Sequence, residues 1–209
     1  MFGRLRGLTT RIFTPLGALL LRWGVSPDAV TVVGTLGVMV SALWLFPTGH
    51  LFAGTMAVMV FAFSDVLDGN MARQAGRTGT WGGFLDSTLD RLADAAVFAG
   101  LLLWCWSVDD VWGMGAALAC LALGGVVPYA RAKAESLGAT ASVGIAARAD
   151  RLVLALVASG FVGIGVDQLL LTGMLTLLAA ASAVTVVQRI LVVRRQLATA
   201  EPDPTPRTG

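Results

Sequence analysis

Six apolar stretches, at residues 29–46, 51–64, 95–106, 111–130, 152–166 and 169–187, constrain this chain more than any other feature. A bilayer core is about 30 Å thick and takes roughly 20 helical residues to cross. Several stretches fall short of that and must borrow from their flanks. The second runs on into an acidic segment, the third begins in the same segment, and the fifth takes in Asp150 and Arg151. The fifth also carries Gly160, Gly163 and Gly165. Only 13% of the residues are charged and 56% are hydrophobic, whereas a soluble domain carries about 25% charged residues. The pattern excludes a soluble globular domain. It predicts an all-α integral membrane bundle of six transmembrane helices.

The cations support that count. Of the 15 Lys and Arg residues, Arg4, Arg6, Arg11 and Arg22 precede the first stretch. Arg73, Arg77 and Arg91 lie between the second and third, and Arg131, Lys133, Arg148 and Arg151 between the fourth and fifth. Arg189, Arg194, Arg195 and Arg207 follow the sixth. Segments 47–50 and 107–110 and the turn at Asp167 hold none. An odd number of spans would break this alternation. The positive-inside rule then puts both termini on the cytoplasmic side of the cell's inner membrane.

Three regions follow. Residues 1–24 are expected to form a juxtamembrane amphipathic helix in the headgroup layer, because Phe2, Leu5, Leu8, Ile12, Leu16 and Leu19 recur at helical spacing among arginines. An irregular basic arm is the alternative that Pro15 allows. The apolar run 16–21 is too short for a signal peptide, and no small-residue cleavage site follows it. Residues 25–196 make the membrane domain, and 197–209, rich in Pro and Thr near the end, a disordered cytoplasmic tail. Cys105 and Cys120 fall in spans without ligand-type neighbours and are read as packing residues. His50 lies in an external turn.

Asp65 and Asp68 are three residues apart; Asp86 and Asp90 are four apart. On helices each pair shares a face. A tight loop at 74–81, with Gly76 and Gly79, lets the two helices aim all four carboxylates at one point, with Gly69 and Gly82 making room. An aspartate at a helix centre in lipid costs about 2.5–3.5 kcal/mol on insertion scales. Four together repel one another as well, and no lysine is near. Hard divalent cations with oxygen ligands offset this, and two of them neutralise four carboxylates. Capping or pairing with arginine at the membrane surface is the plainer explanation, and it accounts for two such aspartates better than for four. Asp94 continues the stripe one turn deeper, as a candidate partner to an arginine.

From Asp65 to Asp90 the chain reads D-x-x-D-G-x-x-A-R, eight residues, then G-x-x-x-D-x-x-x-D. This resembles, without departure, the signature of the CDP-alcohol phosphotransferase family, and six spans with cytoplasmic basic loops resemble that family's plan. The resemblance implies that Asp65, Asp68, Asp86 and Asp90 hold two divalent ions, Mg²⁺ or Mn²⁺, on the diphosphate of a CDP-linked donor. It implies that Asp90 is also the catalytic base for the acceptor hydroxyl. Gly69 and Ala72 would give a shallow wall for cytosine, and Arg73 would reach a phosphate oxygen. Asp28 and Thr31, at the start of the first span, would contact base or ribose, although Ser26 and Pro27 there are also a capping pair.

The acceptor is read from the second half. Arg131, Lys133, Arg148, Arg151 and Arg189 all belong to cytoplasmic helix ends, where ordinary anchoring also places cations. Converging on one mouth, they would suit an anionic acceptor, an alcohol phosphate. The chain is similar to the actinobacterial phosphatidylinositol phosphate synthases, through Tyr129–Glu135 and Val187-Gln-Arg189. Segment 147–151 keeps two arginines but lacks the Pro and first Glu of that group's pattern. The implied partners are CDP-diacylglycerol, myo-inositol phosphate, the bilayer and a second copy of the chain in a homodimer; no nucleic acid is expected. Glycerol 3-phosphate, the acceptor of phosphatidylglycerophosphate synthases, has the same charge and is the alternative. A divalent-cation transporter is a further one, but it calls for discontinuous helices and symmetric halves that are not found.

Overall fold

A computed structural model describes residues 14–76, 79–145 and 148–200, with the backbone alone at 148, 149 and 200. All regular structure among these residues is helical: α1 (residues 14–22), α2 (Pro27–Leu45), α3 (Leu51–Ala62), α4 (Ser64–Gln74), α5 (Thr80–Ser107), α6 (Val111–Ser136), α7 (Arg148–Gly163) and α8 (Leu169–Ala200). Helix α4 continues α3 past Phe63, which keeps helical dihedrals. Short turns at 46–50, 108–110 and 164–168 reverse the chain.

Neighbour packing closes a ring in the order α2, α5, α6, α8, α7, α3 and back to α2, with α4 against α2. Val58, Val97, Leu101, Ala155, Leu171 and Leu175 are buried in its core. Lipid tails are as apolar as leucine, so helices associate in a bilayer through close packing rather than through the hydrophobic effect. Gly100 provides that packing between α5 and α2, since a Cβ there would lie 2.3 Å from the Ala42 carbonyl oxygen. Outward faces are apolar: Val33, Val40, Trp44, Val60, Leu118 and Leu177 are exposed. An apolar exterior over a packed core is the arrangement lipid requires.

Among the described residues, four helices are long and apolar enough to cross a membrane: Pro27–Leu45, Leu51–Gln74 (α3 with α4), Val111–Ser136 and Leu169–Thr199. The chain is a multi-pass membrane protein. The sequence predicts six spans, and two of them differ in kind. Helix α5 has 28 residues, but Asp86, Asp90, Arg91 and Asp94 charge its first half. Helix α7 has 16 residues, about 24 Å of helix against a core of about 30 Å.

Helix α1 leans on α4. Asn70 Nδ2 donates to Thr14 Oγ1 at 3.4 Å, and Gln74 Nε2 to the Thr14 carbonyl at 3.3 Å. Leu16, Leu19 and Trp23 remain exposed. The rest of the helix expected over 1–24, with Phe2, Leu5, Leu8 and Ile12, lies outside the described residues, as does 201–209. Cys105 and Cys120 are buried free thiols, and Cys120 Sγ donates to the Leu175 carbonyl at 3.3 Å. Packing is their role.

Candidate active site

The start of α2 is fixed by local chemistry. The Ala29 N–H donates to Ser26 Oγ at 3.2 Å, and Pro27 occupies the first turn, where its missing N–H costs no helix bond. Asp28 and Thr31 are thereby held at one end of the bundle. Helix α4 ends there and α5 starts back from the same end, and Gly76, just past α4, has φ +64°. Glycine adopts that left-handed conformation without a Cβ clash.

The reversal assembles the acidic cluster. Asp65 and Asp68 from α4 and Asp86 from α5 each offer a carboxylate oxygen, all within 4.8 Å of one another. Asp68 is buried and the other two are exposed. The Thr31 hydroxyl donates to Asp68 Oδ2 at 2.5 Å and also lies 3.2 Å from the Pro27 carbonyl. It has one proton, and the charged acceptor at the shorter distance takes it. Thr31 thus orients the buried carboxylate from a neighbouring helix.

A cavity of about 670 Å³ opens over this cluster. Asp28, Thr31, Gly69, Ala72 and Arg73, the residues expected to face a nucleotide, all line it. A Cβ on Gly82 would meet nothing within 4 Å, and one on Gly69 only Arg73 Nη1 at 3.7 Å. The space those glycines leave is therefore not filled by neighbouring side chains. Three oxygen donors converging on one point, one of them buried, fit a hard divalent cation such as Mg²⁺ or Mn²⁺.

Asp90 stands apart from the triad. One turn beyond Asp86 and on the same face of α5, it lines a second cavity of about 680 Å³. Arg91 Nη2 lies 3.6 Å from Asp90 Oδ2, and Asp90 is still near enough for its charge to act on Asp68. Arg131, Arg151 and Arg189 line the same second cavity, from α6, α7 and α8. Lys133 does not. Two residues along a helix is a rotation of about 200°, so Lys133 is exposed on the face of α6 away from Arg131. Of the five cations expected at the acceptor mouth, three line this cavity, Lys133 faces away from it, and the Arg148 side chain lies outside the described residues.

Arg189 is a brace as well as a cation. Its Nε donates to the Val143 carbonyl at 3.0 Å and its Nη1 to the Val127 carbonyl, one residue before Pro128 within α6. The same guanidinium ties α8 to α6 and to the irregular segment 139–145. Gln196 pins that segment further, accepting from the Thr140 N–H at 2.8 Å and donating to the Thr140 carbonyl at 2.9 Å. Gly144, at φ +145°, passes so close to α8 that a Cβ would lie 2.4 Å from Thr185 Cγ2. Ser142, Val143 and Gly144 therefore form a fixed cavity wall. Neither this wall nor Arg91 and Trp81 were site candidates in the sequence. Arg91, beside the last motif aspartate, was the one with a local signal.

Residues 24–146 match the family described as CDP-alcohol phosphatidyltransferase. The chain belongs to that family. As a CDP-alcohol phosphatidyltransferase it is an enzyme, and its aspartate cluster occupies the motif through which the resemblance was recognised. It is 49% identical over 203 residues to a phosphatidylinositol phosphate synthase of Streptomyces avermitilis, covering 94% of this chain and 83% of that one. Its fold is similar to that of the Mycobacterium tuberculosis phosphatidylinositol phosphate synthase with CDP-DAG bound, with TM-score 0.84 and 41% identity over 88% of this chain and 94% of the other. The same mycobacterial protein in complex with manganese and citrate matches with TM-score 0.85 at 38% identity, over 94% and 96% of the two chains.

Proposed function

We propose that this transferase moves the phosphatidyl group of CDP-diacylglycerol onto a hydroxyl of myo-inositol phosphate, giving phosphatidylinositol phosphate and CMP. The observation that carries this is the pair of cavities lined by successive turns of α5. One is floored by Asp65, Asp68 and Asp86; the other is walled by Arg131, Arg151 and Arg189. Asp86 and Asp90, about 6 Å apart along the helix axis, face one cavity each. Donor diphosphate and anionic acceptor can then be held about one helix turn apart along the same face of α5, with the reacting atoms between them.

In this reading Asp65, Asp68 and Asp86, joined by Asp90, hold two Mg²⁺ or Mn²⁺ ions. When bound, such ions offset the diphosphate's charge and stabilise the charge that develops on attacking and leaving oxygens. Arg73 adds a fixed cation for a donor phosphate oxygen. Gly69 and Ala72 give cytosine a flat approach. Arg131, Arg151, Arg189 and Arg148 receive the acceptor phosphate. Asp90 takes the hydroxyl proton; the acceptor oxygen bonds to the lipid-side phosphorus, and the bond from that phosphorus to CMP breaks.

The charged end of the bundle is placed at the cytoplasmic face of the cell membrane, with both termini, because every Lys and Arg of the described residues belongs to that end. The closed ring of six helices supports six spans, with α7 tilting little or thinning the bilayer around it. An interfacial helix over 1–24 and a homodimer rest on the sequence pattern and the family resemblance. The test is to supply membranes containing this protein with CDP-diacylglycerol and, in turn, inositol phosphate, glycerol 3-phosphate, inositol and serine. CMP release with inositol phosphate alone is the expected result; release with glycerol 3-phosphate instead overturns the acceptor assignment.

A further inference from the structure

Trp81 opens α5 at the lip of the first cavity, among Gly79, Gly82 and Gly83. It is 61% exposed. An indole on a membrane protein is commonly an interfacial anchor, and such an anchor points its N–H at headgroups or water. This one is aimed inward. Trp81 Nε1 donates to Asp28 Oδ2 at 3.2 Å, joining the starts of two helices 53 residues apart in sequence. Phe84, one turn on, supports the ring at a centroid distance of 5.9 Å and a tilt of 32°. None of the three neighbouring glycines would place even a Cβ within 4 Å of another group, so the approach to the indole from the cavity is open.

We propose that Trp81 is a donor-recognition residue: its indole face stacks on the pyrimidine of the activated lipid, and its N–H fixes Asp28 to accept from that base or its ribose. The inference rests on the transferase reading and adds to it a residue and a chemistry. A carboxylate has about four lone-pair positions, of which the indole takes one. The others can accept from an exocyclic amine, the pairing by which carboxylates read cytosine. Stacking alone tolerates any base, since every base has a π face. Oriented by Trp81, Asp28 adds a preference for an amino-bearing pyrimidine over uracil, which presents a carbonyl at that position.

The test is CMP and UMP binding to the full-length protein in nanodiscs, measured calorimetrically for wild type, Trp81→Phe and Trp81→Leu. Removing an aromatic platform from a base costs roughly 5- to 150-fold in affinity. Trp81→Leu is expected to lose that much for CMP. Trp81→Phe keeps a ring but no N–H, so it should retain much of the CMP affinity and lose discrimination against UMP. Tryptophan emission quenched by CMP in wild type and not in Trp81→Phe is the accompanying optical signature. CMP binding by Trp81→Leu equal to wild type, with the variant folded, overturns the inference and leaves an anchor. Wild-type protein that binds no CMP at all overturns the transferase reading itself.

Discussion

Replacing Thr31 with valine changes one hydroxyl into a methyl at a site 7% exposed, while keeping the branched shape α2 accommodates. The lost hydroxyl is the donor held 2.5 Å from Asp68 Oδ2. Asp68 is buried beside Asp86 and within reach of Asp90's charge, so its orientation depends on few groups. A hydrogen bond to a charged partner contributes about 1.5–3 kcal/mol net, which corresponds to roughly 10- to 150-fold in an equilibrium constant. Because a valine at 31 cannot hold the carboxylate toward Asp65 and Asp86, the loss should appear as weaker metal binding. The assay is CMP release against Mn²⁺ concentration at saturating lipid and acceptor, with Thr31→Ser as control. The half-saturating metal concentration should rise at least tenfold for Thr31→Val and stay near wild type for Thr31→Ser. Equal metal dependence in all three proteins would refute the claim that Thr31 positions a metal-binding carboxylate.

Three further outcomes are expected. Asp90→Asn should abolish transfer while CMP binding survives, because Asp90 lines the second cavity and stands outside the 4.8 Å triad; isothermal titration with CMP separates the two effects. Arg189→Ala should raise the acceptor KM far more than the lipid KM, whereas Lys133→Ala should change neither, as measured by steady-state kinetics in mixed micelles. Gly144→Ala should destabilise the protein by about 1–3 kcal/mol, through overpacking against Thr185 together with backbone strain at φ +145°. A lower Tm in detergent should be partly restored by adding Thr185→Ser, which removes the clashing methyl and keeps the hydroxyl that accepts from the Ile145 N–H.

The bundle was legible because lipid imposes a simple rule: apolar runs cross and cations stay on one side. The motif was legible because Asp65, Asp68, Asp86 and Asp90 fall at helical spacings on either side of a glycine-bearing loop. What the sequence left open was which helix packs on which. Helical spacing puts Asp86 and Asp90 on one face, but a rise of about 6 Å lets them line different cavities. The i, i+2 interval of Arg131 and Lys133 turns the two side chains apart, and only Arg131 lines the second cavity. The Trp81–Asp28 bond and the braced wall at 142–144 depend on contacts across 53 and 46 residues, for which no local pattern exists. Composition alone does not mark α5 as a span, because the carboxylates that make the helix matter lie within it.

Anomalous diffraction from crystals grown with Mn²⁺ tests the central claim most directly. The account predicts two strong peaks, with Asp65, Asp68 and Asp86 around them and Asp90 reaching one. Carboxylates turned away from one another, with no anomalous density between α4 and α5, would contradict it.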